Sequence, residues 1–178
     1  MSVGVVGVVL EHGHLLFGLV FLVLVVDETR GRFSASSAAT SGRLSEVIFL
    51  AAGVAMWIAT IRANSAPEFV VHSLWADALL VMGSVPSARR AGLLTAPAWA
   101  LAQPVAVVAS GLLLFVHLHG SIAASPGALS HLMMGAALVI AGAGAAAIHL
   151  VSAAGRRWSV CAQLPMVVFV ALLISYPL

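Results

Sequence analysis

Charge is the scarcest thing in this chain: only 8% of its 178 residues are Asp, Glu, Lys or Arg. A soluble domain usually carries about 25%, so this set cannot clothe a water-facing surface. Lysine is absent; all eight basic residues are arginine. The isoelectric point of about 9.5 therefore rests on few charges. No basic patch with interleaved aromatics exists, so nucleic acid is set aside as a partner. Cys161 is the only cysteine, which excludes an intrachain disulfide and a CxxC metal motif; it reads as a small apolar residue inside a helix. The N-terminus, MSVGVVGVVLEHGH, lacks the basic region of a cleavable signal peptide and reads as a retained membrane helix. No serine or cysteine nucleophile arrangement and no phosphate-binding loop is present, which speaks against a hydrolase or an NTPase.

What is there instead is apolar: 62% of the residues, in long runs from one end to the other. That pattern predicts an all-α integral membrane protein, a single bundle of about six transmembrane helices spanning 1–178, with no soluble domain and the lipid bilayer as its main partner. Six segments stand out: 3–26, 44–61, 69–85, 91–119, 128–151 and 160–176. Crossing about 30 Å of hydrocarbon takes roughly 20 helical residues and at least about 17. The third segment sits at that limit and holds His72 and Asp77, so it is expected to be the weakest. Pro97 and Pro104 are expected to bend the fourth, because each removes a backbone donor. The polar stretch between the first two segments, about 27–43, reads as a flexible cytoplasmic linker. Small residues four apart, Ala51, Ala55 and Ala59, then Ala137, Ala141 and Ala145, have the spacing of close helix contacts.

Arginine placement tests the count. With six spans, Arg30, Arg32, Arg43, Arg89, Arg90, Arg156 and Arg157 share one side and only Arg62 lies on the other. Under the positive-inside rule that split places both termini outside, in a bacterial or archaeal plasma membrane.

The same topology sorts the seven histidines. The stretch 112–134, LLLFVHLHGSIAASPGALSHLMM, ends one helix and begins the next. It places His117, His119 and His131 at the outer face, with Met133 and Met134 following. His72 lies about one turn inside the outer end of the third helix. His12 and His14 lie roughly 14–17 Å from the start of the first, near the midplane. Only His149 falls near the inner face, where it reads as structural. Residues two apart point to opposite sides of a helix, so one of His12 and His14, and one of His117 and His119, faces the core. Glu11 shares a face with His14, Glu68 with His72, and Met134 with His131.

Ionisable groups inside a membrane are expensive and face the bundle interior, a partner or water. Imidazole is the least costly because it can stay neutral, and it is the commonest ligand for transition metals and an axial ligand of haem. The best constellation is a metal site of His14, His72, His117 and His131. His12, His119, Glu11, Glu68 and Met134 are possible additions. Copper is favoured, since imidazole and thioether together suit it and no thiolate motif exists. Uptake, efflux or delivery to a metalloenzyme would follow. Two other readings stand beside it. One is a b-type haem protein with two histidines on facing helices. The other is a non-enzymatic membrane subunit, or a small-solute or proton transporter, working in a membrane complex or homo-oligomer. Against all three stands a purely structural role, with His14 bonded to Glu11 and His72 to Glu68. Asp77 has no evident basic partner and either is protonated or lines a polar path.

Overall fold

In a bilayer core no water completes backbone hydrogen bonds, so a chain this apolar must satisfy them within helices. The computed structural model describes residues 13–33, 38–61, 66–117, 126–151 and 155–176. Among these residues there are six α-helices: α1 (Gly13–Phe33), α2 (Ala38–Thr60), α3 (Ala66–Arg90), α4 (Ala102–Val116), α5 (Pro126–Leu150) and α6 (Gly155–Ile174). Among the described residues there is no strand. Four stretches are long and apolar enough to cross a membrane: Arg43–Thr60, Glu68–Arg90, Pro97–Val116 and Gly127–Leu150. Shorter apolar helical stretches cover Gly13–Asp27 and Ser159–Ile174.

Each helix packs on its neighbour in sequence, and α6 returns to α1, so the six close into a ring. Phe21 of α1 carries the closure. Its ring meets Phe169 of α6 at 5.5 Å and Phe49 of α2 at 6.0 Å, both edge to face. Phe169, Met134 and Leu173 are among the most deeply buried side chains of the core. The contact of α4 on α5 is close. A Cβ on Gly135 would lie 2.8 Å from the carbonyl oxygen of Gly111, and one on Gly111 would lie 2.7 Å from that of Gly135. Gly142 of α5 makes a third such approach, its Cβ position 2.8 Å from the carbonyl oxygen of Pro104, and residues without a Cβ are what let these backbones come so close.

Several boundaries differ from the sequence expectation. The third helix is not short. It runs 25 residues, past Pro86, to a glycine cap. There Gly92 adopts φ 76°, its N–H donates to Arg89 O, and the Leu93 N–H donates to Ala88 O. This is a Schellman closure, which needs the left-handed residue that glycine supplies without strain. The fourth helix is shorter than expected. Ala96 is extended (φ −62°, ψ 134°), as a residue before proline must be. Pro97 therefore opens a 3-10 turn, Pro97–Leu101, and α4 begins only at Ala102. Pro104 sits in the first turn of α4, where no intrahelical donor is lost. The interior prolines are Pro86 in α3 and Pro165 in α6. The stretch read as a linker is helical at 27–33 and 38–43, on either side of 34–37.

The two small-residue stripes also part company. Ala137 and Ala141 of α5 are buried, whereas Ala51 and Ala55 of α2 are exposed on the outer surface. On α2 the inward face is Phe49, Ala52, Gly53 and Met56 instead.

Candidate functional site

Antiparallel succession brings six chain ends to one end of the bundle: the starts of α1, α3 and α5 and the finishes of α2, α4 and α6. His14 is at the described start of α1. His72 lies in the first half of α3. His117 is the residue that ends α4, its N–H donating to Leu113 O. His131 lies one turn into α5 and is only 3% exposed. These four meet as rings. The His72 and His117 centroids are 4.8 Å apart, those of His117 and His131 5.5 Å, and those of His131 and His14 6.0 Å. Each contact is edge to face, with interplanar angles of 67°, 77° and 80°.

His14 is therefore level with His131, not near the midplane as the sequence suggested. The count from the start of the apolar run overestimated its depth. His12, His119, Glu11, Arg62 and the turn between α4 and α5 lie outside the described residues. Glu68 is half-buried in the first turn of α3, one turn before His72. Met134 is 1% exposed and follows His131 by one turn on the same inward face. Met133 points outward. His149 is exposed at the opposite end of α5.

A residue that sequence reasoning missed completes the cluster. Tyr176, just past α6, stacks on His14 with centroids 3.9 Å apart and planes 14° from parallel. It also meets the His131 ring edge-on at 5.1 Å. The available signal was that the chain's only tyrosine falls at the end of the last apolar segment. Aromatics with a polar tip are common at that depth for generic reasons, so the signal was faint.

Hydrogen bonding sets the state of His131. Its Nδ1 is 2.9 Å from the Gly127 carbonyl oxygen, one turn back on α5. A carbonyl only accepts, so Nδ1 carries the proton in this bond. The Tyr176 oxygen, 3.3 Å from the same Nδ1, is a second and longer acceptor. A backbone carbonyl that takes Nδ1–H and turns Nε2 to a ligand is the usual outer support of a metal-bound histidine.

Pairwise spacing is a further test. Metal–nitrogen bonds of about 2.0 Å at tetrahedral angles set two imidazole centroids about 5 Å apart. The 4.8 and 5.5 Å contacts bracket that value. Three-way convergence is not present: among the described residues no group of three or more His, Cys, Asp or Glu side chains is placed to hold a metal ion.

Asp77 does not line an inner path. It is exposed on the bundle's outer surface and accepts a hydrogen bond from Trp57 Nε1 at 3.0 Å. The Trp57 ring also meets Phe69 edge-on.

Comparison with models of known families, with curated proteins and with solved structures finds no match to this chain.

Proposed function

We propose that this protein is a membrane metal-handling protein whose outer end binds a transition metal, copper in first place, through His72, His117 and His131, with His14 as a fourth imidazole. The observation that carries this reading is the run of ring contacts at 4.8 and 5.5 Å across α3, α4 and α5. Those are close to the separations that imidazoles sharing one ion adopt. The bond from His131 Nδ1 to the Gly127 carbonyl supports it, since that is the usual outer support of a histidine that ligates through Nε2. Met134, one turn deeper, offers a thioether suited to Cu(I).

A haem reading is less well supported. Two axial imidazoles need a macrocycle between them, and the His131 ring already has His14, His117 and Tyr176 within 6.0 Å. The site faces the outside in this proposal. Six spans with both termini outside put Arg43, Arg89, Arg90, Arg156 and Arg157 at the cytoplasmic end of the bundle, opposite the histidines. Uptake, efflux or delivery of the ion all start from such a site.

The deciding measurement is metal analysis and an absorption spectrum of the purified full-length protein in detergent. Stoichiometric copper or zinc without a Soret band is the expected result. A Soret band selects haem, and absence of both selects a transporter or a subunit of a larger membrane complex. A reporter fusion that places the C-terminus in the cytoplasm overturns the proposed orientation.

A further inference from the structure

Helices α1 and α5 are not backbone neighbours among the described residues; α1 packs on α2 and α6 only. Yet His14 of α1 and His131 of α5 approach to 6.0 Å. Tyr176 is a side chain that touches both. Its ring lies flat against His14 at 3.9 Å. Its hydroxyl oxygen lies 3.3 Å from His131 Nδ1. The stack fixes the plane of the His14 ring, and the hydroxyl ties that plane to the histidine whose tautomer is already set by Gly127. Two contacts of different kinds, face and tip, leave the His14 imidazole little freedom to turn away.

We propose that Tyr176 is a positioning residue that brings His14 into the histidine cluster as its fourth imidazole. The inference rests on the reading of that cluster as a metal site. His14 belongs to the ligand set only while Tyr176 holds it there. The aromatic face does most of this, so phenylalanine should serve nearly as well and leucine should not.

The test uses the full-length protein in detergent with Cu(II) as the only added ligand. Affinity comes from calorimetry, and the number of bound nitrogens from electron paramagnetic resonance. H14A and Y176L should each lose one nitrogen and weaken binding about tenfold, the lower end of what loss of an outer support costs. The double variant H14A/Y176L should be no weaker than either single one, because both remove the same ligand. Y176F should keep the wild-type nitrogen count. Additive losses in the double variant, or an unchanged nitrogen count in Y176L, overturn the proposal. Should Y176L fail to fold, 15N spectra of labelled histidines in Y176F take its place: a shifted His131 signal supports the hydroxyl link, and an unshifted one overturns it. Should the wild type bind no Cu(II), the metal reading fails by itself. Positioning is then judged from the same spectra, where a His14 ring signal unchanged in Y176L overturns it and a displaced one supports it.

Discussion

The two ends of the bundle solve the same problem differently. At the arginine end, a carboxylate is taken out of water: Glu46 of α2 is only 5% exposed. Arg90 grips both of its oxygens, with Nη1 on Oε2 at 2.7 Å and Nη2 on Oε1, and Ser87 Oγ donates to Oε2 at 2.6 Å. The Arg90 side chain remains 40% exposed, so one partner of the pair stays wet. At the histidine end, imidazoles and a phenol meet by edge and face. The difference teaches that a charge near apolar surroundings must bring its counter-charge with it, whereas a group able to shed its proton can gather with its own kind.

Four substitutions sharpen that contrast, from the largest effect to the smallest. His131→Ala should remove metal binding altogether, a loss beyond a hundredfold by calorimetry, while His149→Ala at the far end of α5 should bind as the wild type does. Next comes Arg90→Ala, which strands the buried Glu46 carboxylate. Breaking such a pair costs about 3 kcal/mol, the low end of the usual range because the arginine is half-exposed. Thermal unfolding in detergent would show it, and a shift no larger than that of His72→Ala would erase the distinction between the two ends. Gly135→Val, midway along the α4 and α5 contact, should cost about 2 kcal/mol by forcing the backbones apart. Full stability there would mean the close approach is not required. Asp77→Asn should change stability by less than about 0.5 kcal/mol. Its site is exposed, and an amide oxygen still accepts from Trp57; a large shift would show that the negative charge itself matters.

How much of this was legible beforehand differs residue by residue. The six helices were readable because long apolar runs leave the backbone no alternative. Their ends were read less well, for a reason visible in hindsight. Arg89, Arg90, Ala91 and Gly92 spell a helix finish, basic residues in the last turn and then a glycine. Hydropathy alone split the sequence earlier, at Val85. Pro97 and Pro104 were read as kinks because proline inside a helix kinks it; at a helix start it does not. For the site, the approach of His117 to His131 at facing ends of consecutive helices followed from topology. The depth of His14 did not, since the helix that carries it has no apolar boundary in its sequence.

The sequence by itself determined the class of the molecule, the number of helices and the segregation of arginine from histidine. Those follow from composition and from order along the chain, because a bilayer tolerates only helices and charge bias sets which loops share a side. Only the tertiary structure decided which faces meet. Ala51 and Ala55 have the same spacing as Ala137 and Ala141, yet one pair faces outward and the other is buried. Nothing in the order of residues along α1 and α6 says that Tyr176 stacks on His14. That contact exists because the ring of helices closes, and closure depends on the packing of Phe21 against Phe169, residues 148 positions apart in the chain.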